Sequence, residues 1–170
     1  RWGCSVMAVS AMTRESILET SLKGRVALVT GGSKGLGLAM AKAYVSHGAK
    51  VALLARGADD LHHAQAQIRA IALASEFAAS AEVASFVCDV TDPEAIQTAH
   101  AQVVETLGSV DILLNNAGQS AAKPFLKITD DEWQVDLDLK LMAAVRLTRL
   151  VWPAMAEQKW GRVINLLNVF

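Results

Sequence analysis

The sequence predicts an α/β fold, a doubly wound parallel sheet with helices on both faces, truncated after its fifth strand. Five short apolar runs rich in Val, Ile, Leu and Ala alternate with four longer segments of helical periodicity. The runs are apolar almost throughout, as parallel strands buried on both faces are. In addition, a glycine-rich turn joins the first run to the first helical segment.

Local signals set the boundaries of these elements. The predicted strands are residues 25–30, 51–55, 83–89, 110–115 and 162–167, and the predicted helices are residues 35–46, 59–79, 93–107 and 130–157. Gly48 ends the first helix, Asp92 and Pro93 begin the third, and Gly108 ends it. The last helix should bury a stripe of side chains at three- to four-residue spacing, namely Leu137, Leu141, Val145, Thr148 and Met155.

Length and composition indicate one domain. The 170 residues, 52% of them hydrophobic, suffice for one real core but not for two. We expect a poorly ordered extension over residues 1–22 and the domain over residues 23–170. The net charge of −1, with charges interspersed, predicts neither nucleic acid nor a membrane as a partner. Cys4 and Cys88 are far apart and lack histidines at metal-ligand spacing, which favours reduced thiols in a cytoplasmic protein without a metal.

The glycine-rich turn is the most specific feature of the chain. Its glycines, at positions 31, 35 and 37, follow the first strand directly and open the first helix. Such a junction surrounds an anion with backbone N–H groups and the positive end of a helix. The expected anion is the pyrophosphate of a dinucleotide, and the residues expected to bind it are Thr30, Gly31, Ser33, Lys34, Gly35, Leu36 and Gly37.

The end of the second strand indicates which nicotinamide cofactor fits. A carboxylate there would hydrogen-bond the ribose 2′-hydroxyl and repel a 2′-phosphate. The sequence has Ala55 and Arg56 instead, about twenty residues beyond the glycines. Arg56 can pair with a phosphate, and Lys34 adds a second positive charge, so we predict NADP(H) in preference to NAD(H). The alternative is that Arg56 is an ordinary solvated loop residue.

These motifs, with three further ones, resemble the N-terminal two-thirds of a classical short-chain dehydrogenase/reductase, particularly the 3-oxoacyl reductase-like members. The loop from Thr30 to Gly37 matches the family's T-G-x-x-x-G-x-G, and the segment from Gly161 to Asn165 resembles its G-R-I-V-N. Further matches are the family's adenine-contacting pair, at Asp89 and Val90, and its N-N-A-G, which lines the cofactor ribose, at Asn115, Asn116, Ala117 and Gly118. The resemblance implies a Rossmann-type fold and hydride transfer between a nicotinamide and a carbonyl or alcohol.

The catalytic positions depart from the family pattern. No Tyr-x-x-x-Lys occurs in the 170 residues, and the single tyrosine, Tyr44, is expected to be a packed residue of the first helix. The family's substrate-binding serine is matched by Asn168, which is either an altered active-site residue or a polar strand end. The family's helix asparagine is matched by Lys140 or, in a shifted match, by Asp138; both are more often solvated charges.

Other residues of the last helix carry weaker signals. Arg146 and Arg149 lie off the apolar stripe and are predicted to be solvated. Trp133, Trp152 and Trp160 belong either to the core or to a surface through which relatives form oligomers, since many members assemble through this helix. A homo-oligomer through the fourth helix is therefore one expected partner, alongside a small carbonyl or alcohol substrate.

The leading hypothesis is an NADP-dependent oxidoreductase represented by an incomplete chain, which should bind cofactor weakly, lack reductase turnover and tend to aggregate. The second is a non-catalytic dinucleotide-binding protein, either a sensor or a partner subunit, which the departures at Asn168 and Lys140 favour. A distant third is a nucleotide-fold methyltransferase. Lys34 and Arg56 argue against it, because the methyl donor carries no phosphate.

Overall fold

A computed structural model describes residues 21–78, 82–119 and 123–166. Five strands alternate with helices along the chain. The strands are β1 (Val26–Thr30), β2 (Lys50–Ala55), β3 (Val83–Val87), β4 (Ile112–Asn115) and β5 (Arg162–Asn165). The helices are α1 (Gly35–Ser46), α2 (Ala58–Ala74), α3 (Pro93–Leu107), α4 (Asp130–Leu137) and α5 (Ala143–Glu157). A π-helical segment (Asp138–Met142) joins α4 to α5, and a 3-10 turn (Phe125–Lys127) precedes α4.

The strands form one parallel sheet in the order β3-β2-β1-β4-β5. Val29 of β1 pairs with Leu53 of β2 on one side and Leu114 of β4 on the other. The strand order reverses between β1 and β4, and in open α/β sheets a crevice forms there, beyond the carboxyl ends of the strands. The predicted doubly wound parallel sheet is confirmed.

Helices cover both faces of the sheet, so successive strand residues enter two different cores. Leu28, Leu54 and Leu113 point to the face that is packed by α3 and α5. Their neighbours along the strands face α1 and α2, as the cluster containing Val29 and Leu53 shows. Because both faces are covered, β1, β2 and β4 are apolar and buried at most positions rather than at alternate ones, whereas the edge strands β3 and β5 are only partly buried.

A buried carboxylate fastens the opposite end of the sheet. Asp111, at the start of β4, accepts hydrogen bonds of 2.9 Å from the Arg25 guanidinium, the Val26 backbone N–H and the Gln158 amide. The Arg25 guanidinium also lies 3.9 Å from the ring centre of Trp160, which packs against the core. Trp160 is therefore a structural residue, one of the two roles that the sequence left open for it.

The second helix and the third strand are shorter than predicted. Helix α2 ends at Ala74 because Ser75 adopts an extended backbone, donates its hydroxyl to the Ala72 carbonyl and accepts from the Phe77 N–H. Strand β3 ends at Val87, two residues before Asp89. The predicted boundary at residue 22 stays a prediction, because residues 1–20 lie outside the described part. Leu22 itself donates its N–H to the His47 carbonyl at 2.8 Å.

The stripe predicted for the last helix is wrong at most positions. The buried residues recur at four-residue spacing and are Ala143, Leu147, Val151 and Met155. Leu137 and Leu141 are exposed, and Val145 and Thr148 are half-buried. The π-helical segment accounts for the error, because its wider turn shifts the helical phase between α4 and α5. In the described ranges, no helix is both long enough and apolar enough to cross a membrane.

Candidate functional site

The crevice between β1 and β4 is closed at its base by one buried hydroxyl. Thr30 is the last residue of β1, and its Oγ1 accepts hydrogen bonds from the backbone N–H groups of Asn116 and Ala117, at 2.9 and 3.0 Å. The same hydroxyl donates to the Leu114 carbonyl at 3.3 Å. A side chain of β1 thereby fixes the path of the backbone where it leaves β4.

The glycine-rich turn is packed too closely for side chains at two of its glycines. Gly31 has φ of +63°, and a Cβ there would lie 2.9 Å from Asn116 Nδ2. At Gly37 a Cβ would lie 2.4 Å from the Gly31 carbonyl oxygen. The Asn116 amide occupies this space and donates to the carbonyls of Thr30 and Gly31 at 3.0 and 3.2 Å. The turn and the first residues after β4 therefore form one rigid unit.

Helix α1 begins at this turn with its N–H groups directed toward the crevice end of the sheet. Its N-terminal residue carries no side-chain cap, and Lys34, at the cap position, has an extended backbone. Gly35 has φ of +55°, and Leu36 is exposed. An uncapped helix start with a positive dipole end provides an anion-binding position.

A cleft of about 360 Å³ lies over this unit. Eight of the predicted binding residues line it: Gly31, Ser33, Lys34, Arg56, Asp89, Val90, Ala117 and Gly118. The other five are not among the lining residues: Thr30, Gly35, Leu36, Gly37 and Asn116. The structure thus brings together residues that the sequence distributes over almost ninety positions.

Seven further residues line the cleft that the sequence did not predict as binding residues: Leu54, Ala55, Gly57, Asp60, Cys88, Gln119 and Leu139. Five of them, Leu54, Ala55, Gly57, Cys88 and Gln119, lie in the last residues of a predicted strand or shortly after it, and this position was the signal available for them. Asp60 and Leu139 are the exceptions, because they lie in α2 and in the π-helical segment, where no sequence pattern indicates them.

Four charged side chains line the cleft: Lys34, Arg56, Asp60 and Asp89. The Lys34 ammonium forms an ion pair of 2.8 Å with the Asp60 carboxylate, and both side chains are well exposed. Arg56 is exposed and forms no hydrogen bond or ion pair with the rest of the described chain. One guanidinium therefore remains available for a negatively charged ligand.

The loop after β3 is organised by the Asp89 carboxylate. Its Oδ1 accepts from the Thr91 N–H at 3.0 Å and from the Thr91 hydroxyl at 2.8 Å. The neighbouring Cys88 is buried, and burial, together with the negative charges of Asp89 and Asp92, raises the pKa of its thiol to about 11. Cys88 is accordingly a neutral thiol in the wall of the cleft, as expected of a reduced cysteine.

The candidate catalytic residues do not converge on the cleft. Lys140 is paired with Asp136 at 2.7 Å and is not part of the lining. Asp138 accepts from the Gln134 amide and the Arg146 guanidinium, and these bonds lower the pKa of its carboxyl. Asn168 lies outside the described residues. Tyr44 is buried in α1, as predicted, and burial raises the pKa of its phenol.

Arg146 differs from the prediction of a solvated side chain. Its guanidinium donates to the Asp138 carboxylate at 3.0 Å and to the Thr91 carbonyl at 3.2 Å, and only 24% of the side chain is exposed. Arg149, three residues later, is exposed as predicted. The two arginines were indistinguishable in the sequence because their different surroundings depend on the loop after β3, which is distant along the chain.

The arrangement fits a dinucleotide. An uncapped helix start beside close-packed glycines accommodates a pyrophosphate, and a free guanidinium beyond β2 accommodates a further phosphate. Comparison with known proteins agrees: the short chain dehydrogenase profile matches residues 25–169. The chain belongs to the short chain dehydrogenase family. This membership confirms the resemblance inferred from the motifs and gives no support to the methyltransferase alternative.

Named relatives of this short chain dehydrogenase are similar along most of its length. It is 35% identical to an acetoacetyl-CoA reductase of Shinella zoogloeoides over 145 residues, covering 85% of this chain and 55% of that one. It is 32% identical to a 3-oxoacyl-acyl-carrier-protein reductase of Salmonella typhimurium over 149 residues, covering 88% of this chain and 57% of that one. The chain therefore spans little more than half the length of these curated relatives.

Solved structures show the same fold with nicotinamide cofactors. An L-sorbose reductase from Gluconobacter frateurii, complexed with NADPH and L-sorbose, superposes with a TM-score of 0.78 at 34% identity, covering 86% of this chain and 53% of that one. A metagenomic short-chain oxidoreductase in complex with NADP gives 0.76 at 34% identity, covering 88% and 64%. An NAD⁺-bound xylitol dehydrogenase gives 0.75 at 32% identity, covering 85% and 53%.

Proposed function

We propose that this short chain dehydrogenase is an NADP-dependent oxidoreductase that transfers hydride between the nicotinamide and a carbonyl or alcohol substrate. The observation that carries the cofactor preference is Arg56, an exposed guanidinium in the cleft with no partner among the described residues. No carboxylate ends β2, where one would repel a 2′-phosphate. Two of the compared structures contain NADPH or NADP, and one contains NAD⁺.

Each part of the cleft has a proposed task. The start of α1, with Gly31 and Ser33, binds the pyrophosphate; Arg56 and Lys34 bind the 2′-phosphate. The other proposed contacts are to the adenine, through Asp89 and Val90, and to the ribose, through Asn116, Ala117 and Gly118. Thr30, Gly35, Leu36 and Gly37 hold the backbone in the shape that these contacts need. When bound, the cofactor supplies the hydride donor or acceptor.

The proton donor of the family mechanism is not contained in the 170 residues, because they include no Tyr-x-x-x-Lys. In the family mechanism that tyrosine exchanges a proton with the substrate oxygen, and a lysine lowers its pKa. We propose that this chain by itself binds cofactor without turning over substrate. Asn168 is proposed to hold the substrate oxygen through its amide. Lys140 is proposed to assist the proton transfer, which requires it to leave the Asp136 carboxylate.

We further propose a homo-oligomer formed through the predicted fourth helix, residues 130–157. The structure divides this helix into α4, the π-helical segment and α5. Five large apolar residues of α4, the π-helical segment and α5 are exposed, namely Trp133, Val135, Leu137, Leu141 and Trp152. Exposed apolar side chains grouped on one helical element favour an interaction surface. Their exposure supports assigning Trp133 and Trp152 to the oligomer surface, the second of the two roles that the sequence left open. A cytoplasmic location also stays a prediction.

Titration and turnover test the proposal on the full-length protein, which here means the natural protein in which these 170 residues occur, together with any residues that flank them. Quenching of tryptophan fluorescence gives the Kd of NADPH and of NADH, and we expect NADPH to bind at least tenfold more tightly. Oxidation of NADPH is then followed with acetoacetyl-CoA and with L-sorbose, the ligands named for two relatives. Tight binding without turnover of any carbonyl compound would favour a non-catalytic binding protein, and tighter binding of NADH would overturn the NADP assignment.

A further inference from the structure

One guanidinium forms hydrogen bonds with two elements that provide walls of the cleft. One wall is the loop after β3, with Asp89 and Val90. The other is Leu139, in the π-helical segment fifty residues later. Arg146 bonds to both: to the Thr91 carbonyl of the loop at 3.2 Å and to Asp138, the neighbour of Leu139, at 3.0 Å.

The connection on the loop side continues into the cleft. Thr91 is held to Asp89 by two bonds to the same carboxylate oxygen, from its backbone N–H and its hydroxyl. A displacement of the Thr91 backbone therefore moves the Asp89 carboxylate. On the helix side, the Gln134 amide bonds to the second oxygen of Asp138 at 3.0 Å, so the carboxylate that receives Arg146 is itself fixed.

We call the two hydrogen bonds of Arg146, to the Thr91 carbonyl and the Asp138 carboxylate, the clamp. The π-helical segment explains why this clamp is needed. Its wider turn weakens the regular ladder of helical hydrogen bonds and places Leu139 over the cleft rather than on the helix surface. Leu139 packs against the same core cluster as Val90. With no long-range polar contact, these apolar side chains would set the separation of the walls only loosely.

We propose that Arg146 is a positioning residue that fixes the separation of Leu139 from the loop carrying Asp89 and Val90, and so shapes the adenosine end of the cleft. The inference rests on the proposed function for the identity of the ligand. Geometry distinguishes Arg146 from an ordinary surface arginine: it is mostly buried and bridges two elements that contribute to one cleft. A bidentate guanidinium is needed, since a lysine ammonium cannot span both acceptors in a fixed plane.

The test separates the two halves of the cofactor in the full-length protein. Adenosine 2′,5′-bisphosphate probes the adenosine end, and nicotinamide mononucleotide probes the other end. In Arg146→Met the Kd of adenosine 2′,5′-bisphosphate should rise ~5-fold or more, while that of nicotinamide mononucleotide stays within about twofold. Arg146→Lys should recover only part of the loss. The matched control is Arg149→Met, which removes an exposed arginine of the same helix and should change neither Kd.

A double-mutant cycle shows whether Arg146 acts through Asp89. In an Asp89→Asn background, Arg146→Met should raise the Kd of adenosine 2′,5′-bisphosphate by a smaller factor than it does in the wild-type protein. If the losses of binding free energy from the two substitutions are fully additive, Arg146 does not act through Asp89. If Arg146→Met weakens the binding of both cofactor halves equally, it destabilises the protein generally, and the proposal is also overturned.

Amide hydrogen exchange on the ligand-free protein keeps the inference distinct from the cofactor assignment. Residues 88–92 and the π-helical segment should exchange faster in Arg146→Met than in Arg149→Met. Unchanged exchange there would refute the clamp. A wild-type protein that binds neither NADPH nor NADH would refute the proposed function instead, whatever the exchange result.

Discussion

The Lys34 ammonium lies 2.8 Å from the Asp60 carboxylate, and both residues line the proposed cofactor cleft. The pair neutralises one of the two cationic side chains expected to attract a 2′-phosphate. It leaves Arg56 as the cation of the cleft with no partner in the described part of the chain. Asp60 therefore opposes the binding of a phosphate that Lys34 and Arg56 favour.

Removing the Asp60 charge should strengthen NADPH binding. Asp60→Asn frees Lys34 and eliminates a repulsive carboxylate, and we expect the Kd of NADPH to fall ~3-fold, as for an exposed ion pair. The Kd of NADH should not change. Fluorescence titration measures both, and Asp59→Asn, which alters an exposed neighbouring carboxylate, is the control. Weaker NADPH binding in Asp60→Asn would mean that Asp60 supports the site.

Removing the Arg56 charge should abolish the cofactor preference. A hydrogen bond between a charged pair contributes about 1.5–3 kcal/mol, so Arg56→Ala should weaken NADPH binding by about 10- to 100-fold. NADH lacks the 2′-phosphate, and its Kd should change by less than about twofold. Arg149→Ala controls for the loss of an exposed arginine elsewhere. An equal effect on both cofactors would support the interpretation of Arg56 as a loop residue without a phosphate-binding role.

The Thr30 hydroxyl should contribute to stability as well as to the site. Thr30→Val keeps the side-chain shape but leaves the N–H groups of Asn116 and Ala117 without their acceptor. We expect a loss of about 2 kcal/mol in the free energy of unfolding, measured by urea denaturation. Thr30→Ser keeps the hydroxyl and should retain most of that stability. Equal stability of the two variants would show that water replaces the hydroxyl.

Cys88 should react slowly with alkylating agents until the pH is high. The pKa of about 11 exceeds the ordinary value of 9.0, so the thiolate is scarce at pH 8 and becomes abundant only as the pH approaches 11. Because the folded state retains the proton more strongly than the unfolded state, this group stabilises the fold below pH 9 and loses that effect between pH 9 and 11. Iodoacetamide labelling in a Cys4→Ser background, followed by mass spectrometry, measures the pH profile. A midpoint near pH 8.5 would contradict it.

The exposed apolar residues of α4, the π-helical segment and α5 should mediate self-association. Trp152 is 61% exposed, and Trp152→Glu places a charge that an apolar interface would have to bury. We expect the oligomer of the full-length protein to dissociate, as measured by sedimentation velocity. Arg149→Glu, a charge change at an exposed position of the same helix, gives the comparison. If both variants keep the wild-type mass, the fourth helix is not the interface.

The sequence was sufficient for the sheet and for most of the cleft because the decisive signals are local. Strand β1 and the glycines that follow it are contiguous, Arg56 follows β2 directly, and Asp89 comes two residues after β3. In a parallel α/β sheet every such position lies at the same edge, so finding the strands finds the cleft. The positions of the strand ends did not predict that Leu139 and Asp60 line the cleft, because these two residues lie inside helical segments.

Local pattern and tertiary packing therefore decided different features. The order of strands and helices follows from the apolar runs. The glycine-rich turn follows from backbone requirements that neighbouring residues satisfy by themselves, and these local signals also indicate the protein's family. The phase of the last helix, the burial of Arg146 and the pairing of Lys34 depended on packing. Each requires a contact between residues distant in the chain: Arg146 with Thr91, Lys34 with Asp60. The glycine-rich turn could be identified from its own residues, whereas the charges and walls around it arise only when separate segments meet.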